Sequence, residues 1–335
     1  MKPIKLFGRK RKVVYFLVIL CLIITFFLAE GWGGGTYSFA HSLALFSSTP
    51  LSEVEETILF RVRLPRIVLS WLVGSGLSLA GAVLQGLFRN PLVDPYVLGI
   101  SSGAAFGAVV AIYSGIYWGL FTIPLFAFGF ALFTAFLVFY LGRIGQKMPL
   151  EVLLLSGVAV GFFFSSLISL GMYLAGENLH QMVFWMMGGF YSASWEEVKM
   201  VLPFFLVSLP LLLPFNRELN AFLLGEKVAE SMGVEVERVK KLLLFISSVL
   251  VASCVAVSGV IGFVGLIVPH LVRLLVGPDH RHLLPLSFLL GGVVLIWADT
   301  LARTVIHPIE LPVGIVTNLL GVPFFIFLLR RRKSN

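Results

Sequence analysis

The chain has 335 residues, 58% of them apolar and only 13% charged, with a mean hydropathy of +0.98. That balance excludes an ordinary soluble domain. The net charge of +8 and pI near 9.6 do not signify a nucleic-acid partner, because the basic residues stand at the ends of apolar runs and not along one basic face.

Residues 2–12 form a basic head before an apolar run at 13–29. The run exceeds the roughly 7–15 residues of a signal-peptide core, and no small-x-small cleavage site follows, so the sequence predicts a first transmembrane helix. Residues 30–62 are polar and Gly-rich and read as an external loop. A second span is expected at 64–87, closed by Arg89, Asn90 and Pro91. Asp94 followed by Pro95 is the pattern of an N-cap with proline at the first helical position, and a third span follows to about Ser114. Further spans are expected near 118–141, 150–173, 196–214, 241–258, 283–302 and 311–329, each close to the roughly 20 residues a bilayer requires. Residues 263–276 are short and contain Pro269, and count as a short span. The expected fold is therefore all-α: one polytopic membrane domain over 1–335, of about ten transmembrane helices.

The distribution of Lys and Arg orients it. With the N-terminus inside, only Arg61, Arg63, Arg66, Lys199 and Arg303 fall outside, and the other 20 of 25 fall inside. The positive-inside rule supports this topology, with both termini cytoplasmic. Residues 216–241 then form a cytoplasmic loop with ten charged residues. Within it, Gly225, Glu226 and Gly233 bracket a short helix at 226–232, acidic at its start and Gly just past its end. A second short helix is expected at 235–241. Residues 176–194 are too short to cross, and their aromatic run at 184–190 suits a short external helix at about 180–190, lying at the interface. Neither an internal repeat nor a soluble domain is evident. Cys21 and Cys254 lie in apolar runs and give no disulfide framework or metal spacing. The six histidines form no ligand cluster.

Small residues recur four apart at Gly74, Ser78 and Ala82 and again at Gly99, Gly103 and Gly107, which lets helix backbones approach closely. Arg63 and Arg66 flank Pro65 at the expected outer start of the second span, where a cation opposes the helix dipole. A residue that breaks local preference is a candidate for function. Arg303 follows Asp299 by four residues, so an i,i+4 pair is expected. External arginines of this kind recruit acidic partners; the competing reading is interfacial anchoring. No G-x-x-x-x-G-K-[ST] phosphate loop is present, and the span centres have almost no charged residues of the kind that ion-driven transporters carry.

Several stretches together resemble the permease subunits of iron-siderophore and cobalamin ABC importers. They are RLPR at 63–66, AGAVLQGL at 80–87, RNPLVDP at 89–95, GISSGAA at 99–105, FWMMGGF at 184–190 and LGEKVAESMGV at 224–234. The same order continues with GFVGLIVPHLVR at 262–273, GPDHR at 277–281, ADTLAR at 298–303 and ELPVGIVT at 310–317. The resemblance covers nearly everything from residue 61 onward. It implies a non-enzymatic subunit of the cell (inner) membrane that pairs with a second copy around a central pathway. Two cytoplasmic ATP-binding subunits would carry ATP and Mg, with no cofactor on this chain, and an external substrate-binding protein would deliver cargo. It further implies that Arg63, Arg66 and Arg303 dock the binding protein, and that Gly225, Glu226, Ala229, Ser231 and Gly233 belong to the ATPase coupling helix. The fifth span would line the pathway with Ser156, Gly157 and Gly161, and Pro149, Leu150 and Glu151 would lie at the inner gate; Leu150 is apolar where the family is often small and polar.

The cargo this implies is a metal chelate, foremost a ferric siderophore, with cobalamin, haem and molybdate as alternatives. A passive channel or secondary transporter is the alternative of another class and requires intramembrane ionisable groups; a membrane scaffold would need no external arginines.

Overall fold

The computed structural model describes residues 3–32, 52–306 and 308–333. Among these residues every regular element is a helix. Ten are apolar and membrane-sized or nearly so: α1 Pro3–Gly31, α3 Leu64–Leu87, α4 Ile100–Ser114, α5 Thr122–Leu141, α6 Leu150–Leu174, α8 Trp195–Leu212, α11 Val236–Ser258, α12 Val264–Val276, α13 His280–Thr304 and α14 Val313–Lys333. The shorter α2 Glu53–Thr57, α7 Leu179–Met187, α9 Asn216–Leu223 and α10 Glu226–Ser231 connect them. The spans expected from hydropathy thus all form, and α7 takes the place of the expected short helix at about 180–190.

α3 is the most enclosed helix, packed by α13, α11, α12 and α8. Its small residues explain why. A Cβ on Gly74 would sit 2.3 Å from the carbonyl oxygen of Gly291, so only glycine lets α3 and α13 meet backbone to backbone. Gly103 and Gly107 do the same for α4 on α5, where added Cβ atoms would run into Thr134 and Phe126.

Two stretches of broken helix are stabilised by single side chains. Gly259 to Phe263 is non-helical between α11 and α12, and such backbone in a membrane must find partners within the protein. The Tyr96 hydroxyl donates to the carbonyl of Ile261 (2.9 Å) and accepts from its N–H (3.3 Å). Buried Gln85 donates to the carbonyls of Val93 (3.4 Å) and Leu266 (3.1 Å), and accepts from Arg273 (3.1 Å). Asp94 accepts the Tyr96 N–H at 2.8 Å as an N-cap, as its position before proline predicts, but it caps the 3₁₀ turn Pro95–Leu98, and the third span begins only at Ile100 after the left-handed Gly99.

Three expectations need correction. The external loop expected at 30–62 is helical in part: α2 runs through a π-turn, Ile58–Arg63, into α3 without a break, while residues 33–51 lie outside the described ones. Residues 235–241 are not a separate short helix but the first turns of α11, because the apolar stripe that begins at Val236 and Val239 packs into the core. And α9, buried through Leu219, Ala221 and Phe222, is an element that the charge-based reading passed over.

Candidate functional site

Charged side chains gather at two opposite ends of the bundle. At one end lie the arginines singled out from sequence. Arg66 donates to Asp299 through Nη2 (2.9 Å) and Nε (3.1 Å) and to Glu310 through Nη1 (2.9 Å). Arg303 approaches the same Asp299 at 3.3 Å, as its i,i+4 spacing predicts. Arg63 donates to the backbone carbonyl of Glu30 at the end of α1. All three arginines are buried, and Asp299 is 1% exposed. Tyr191 lies close by, its hydroxyl pushed up to about 12 by burial, with Arg66 opposing.

This arrangement overturns the electrostatic argument made for the arginines. They do not stand at a helix N-terminus, because α2 and the π-turn precede α3. Nor are Arg66 and Arg303 uncompensated, since Asp299 and Glu310 neutralise them within the chain. Sequence reasoning could pair Arg303 with Asp299 by spacing, but Arg66 and Asp299 are 233 residues apart. Of the five cations expected outside, Arg61 and Lys199 are the exposed ones.

At the other end, α10 stands between two left-handed glycines, Gly225 at φ 113° and Gly233 at φ 86°. Backbone of that kind favours glycine, which explains both residues and gives α10 sharp turns at each end. Ala229 faces inward and is fully buried, and the Ser231 hydroxyl donates to the Val228 carbonyl at 2.8 Å. On the outside of the same helix, Val228 and Met232 are exposed, with Leu224 just before it; Met232 is 62% exposed. These are apolar side chains left bare on a highly charged segment of the chain. Glu226 turns back to Lys240 of α11 at 2.7 Å, and Lys240 also donates to Glu237 at 3.1 Å.

α6 begins at Leu150 with Pro149 as its N-cap and Glu151 in its first turn. Its free face carries Leu155, Val158, Phe162 and Phe163. Gly157 does not belong to that face. It is buried, and a Cβ there would sit 2.3 Å from the carbonyl of Val97, so it seats α6 against the 3₁₀ turn of the same chain. Gly161 lies on the same inward side, near Ser102, whereas Ser156 is half-buried at its margin. The smallness of Gly157 therefore serves packing within the chain, whereas a Cβ on Gly161 would make only an ordinary contact with Ser102.

Among the described residues no cluster of His, Cys, Asp and Glu fits a metal ion. No Asp, Glu, Lys or Arg falls in the middle of a described span.

Comparison with known proteins agrees with this anatomy. Residues 20–331 match the FecCD transport family. The chain is 48% identical over 279 residues to the uncharacterised ABC transporter permease protein YvrB of Bacillus subtilis (strain 168), covering 82% of this chain and 79% of that one. It is 47% identical over 281 residues to the cobalamin import system permease protein BtuC of Halobacterium salinarum, covering 84% and 75%. Identity is 39% over 329 residues with the molybdate import system permease protein MolB of Haemophilus influenzae, covering 96% of each. A solved inward-facing structure assigned to the metal-chelate type of ABC transporter superposes with a TM-score of 0.85 at 38% identity, covering 96% of this chain and 99% of that one.

Proposed function

Since the chain belongs to the FecCD transport family, we propose that it forms, with a second copy of itself, the membrane path of an ATP-driven importer of metal chelates, with a ferric siderophore as cargo. It is the permease subunit of an ABC transporter, a multi-pass protein of the cell membrane, and not itself an enzyme. The observation that carries the mechanism is α10: a six-residue helix, glycine-hinged at both ends, with bare Val228 and Met232 outward and Ala229 buried beneath. We place that end in the cytoplasm, following the excess of Lys and Arg there. An ATP-binding subunit seated on Val228 and Met232 would move α10 when it binds and hydrolyses ATP. ATP and Mg²⁺ stay on that partner.

The proposed outer face takes an external binding protein. Arg66 has two partners, and one of them is replaceable. Asp299 is 1% exposed, whereas the Glu310 side chain is 39% exposed and can yield its place to a carboxylate of the binding protein. Arg63 and Arg303 hold the frame around it. Charges on such a rim set mainly on-rate and salt dependence.

The cargo is the finer part of the proposal. Relatives carry names for cobalamin and molybdate as well as iron, and a ferric siderophore is preferred over cobalamin, haem and molybdate by family usage alone. The test is uptake in proteoliposomes holding the permease, its ATPase and its binding protein. Labelled ferric siderophore should enter only with ATP; entry of cobalamin, haem or molybdate instead refutes the cargo, and entry without the ATPase refutes the class. A cysteine at Val228 should crosslink to the ATPase subunit, and failure to do so removes α10 from that contact.

A further inference from the structure

Lys240 is 2% exposed and bonded to two carboxylates on different elements. One is Glu226, the first residue of α10. The other is Glu237, in the first turn of α11. Glu237 has a second contact: its Oε2 accepts the backbone N–H of Met148 at 2.9 Å. Met148 is itself buried and immediately precedes Pro149, the N-cap of α6. Beside it, Lys241 donates to the Gln146 carbonyl at 3.4 Å. A continuous polar chain therefore runs from α10 through Lys240 and Glu237 to the segment that opens α6. α10 itself packs mainly on α9 and α11.

The choice of residue is informative. A buried ammonium, even one whose carboxylates stay 34% and 30% exposed, rarely adds stability over an apolar contact of similar size, so its presence here asks for another reason. Lysine carries a compact charge on a flexible stem with three donors, and can keep two carboxylates while their separation changes; an arginine fork would hold one geometry. That suits a joint between elements that move relative to each other. Gly225 and Gly233 supply the turning points on the α10 side.

We propose that Lys240 is a positioning residue that transmits displacement of α10, through Glu237 and the Met148 N–H, to the start of α6. This rests on the reading of α10 as the ATPase-docking helix and names the route by which its movement reaches the pathway. Without the joint, α10 would still dock and follow the ATPase, but α6 would no longer follow α10.

The test uses the reconstituted permease–ATPase complex with its binding protein. In Lys240→Met, cargo transported per ATP hydrolysed should fall on the order of tenfold, the scale of a typical coupling between sites, while hydrolysis persists. A spin label at the exposed Leu155 of α6 should stop responding to ATP, while a cysteine at Val228 still crosslinks to the ATPase. Lys240→Arg should recover part of the ratio. Glu237→Leu, which leaves Lys240 with Glu226 but removes the acceptor of Met148, should reproduce the loss, and serves if Lys240→Met does not insert. An unchanged transport ratio in both variants, or transport and hydrolysis falling in parallel, overturns the proposal. If wild type itself fails to crosslink at Val228, the docking of α10 fails instead, which is a separate result.

Discussion

Asp299→Asn is the sharpest test of how the Arg66 end is held together. Asp299 is 1% exposed and serves two buried arginines, Arg66 through two nitrogens and Arg303 through one. Removing one partner of a buried pair costs about 3–5 kcal/mol, because a charge is left without compensation. Arg66 keeps Glu310 at 2.9 Å, which places the loss near the lower end, about 3 kcal/mol. Glu310→Gln is the control. Its carboxylate is 39% exposed, and a pair so open to solvent contributes about 0–1 kcal/mol. Each substitution removes one negative charge from Arg66, but only Asp299→Asn removes it from a buried site and from Arg303 as well. The assay is equilibrium unfolding in mixed micelles followed by tryptophan fluorescence. Replacing Arg66, Asp299 and Arg303 together by Met, Leu and Leu should cost less than Asp299→Asn alone, because the triad is coupled and the one carboxylate left without its partner, Glu310, is 39% exposed. Equal losses for Asp299→Asn and Glu310→Gln, or an Asp299→Asn protein as stable as wild type, would refute the burial argument.

Three further outcomes are expected. Gly233 stands at φ 86°, and proline needs about −65°, so Gly233→Pro should abolish ATP-dependent uptake while Gly233→Asn retains it; normal uptake by the proline variant speaks against a fixed turn after α10. Single cysteines at Leu155, Val158 and Phe162, exposed on one side of α6, should crosslink between two copies or react with an aqueous thiol reagent, whereas a cysteine at the buried Val160 should do neither. Burial alone would raise the carboxyl of Asp279, but hydrogen bonds from Asn220 and the Arg281 N–H, with the charges of His282 and Arg11, hold it below its usual value. Its contribution is therefore complete above the ordinary aspartate value of about 3.9 and fades as pH falls through the lowered one. Asp279→Asn should lower the melting temperature at pH 7, and the gap should narrow below about pH 4.

Much of this anatomy is legible in the chain because a bilayer imposes simple rules. α3 begins at Leu64 and ends at Leu87 as hydropathy predicts, and Gly74 meets Gly291 because small residues at helix spacing are what close helix contacts need. α10 is legible for a different reason: an acidic first turn between two glycines is a local signal. What stays hidden is long-range or masked by hydropathy. Arg66 looks unpaired in the sequence because Asp299 and Glu310 reach it only after α13 folds back along α3. Residues 235–241 read as a separate polar helix because their charges, including Lys240, outweigh the stripe of Val236 and Val239. Gln85, inside a quoted motif, and Tyr96, just after one, have no role legible in the sequence, since Gln85 reaches Gly265 and Leu266 at the start of α12 and Tyr96 reaches Ile261 in the break before it. Gly157 was readable as small but not as facing inward.

The two charged ends differ in a way that fits transport. At the Arg66 end, Asp299 joins α3 to α13 by several short bonds inside the pair of helices that already meet at Gly74 and Gly291. Both members belong to the same enclosed block, and bidentate arginine geometry tolerates little change. At the Lys240 end the bonds run between three separate elements: a glycine-hinged surface helix, the start of α11 and the segment leading into α6. α6 has most of its surface open within one chain, and so does α5. A rigid pair at one end and a chain of single contacts at the other divide the molecule into a part that stays and a part that can follow. Under the proposal, displacement entering at α10 would reach α6 through these polar contacts, and the block around α3 would supply the fixed frame against which it acts.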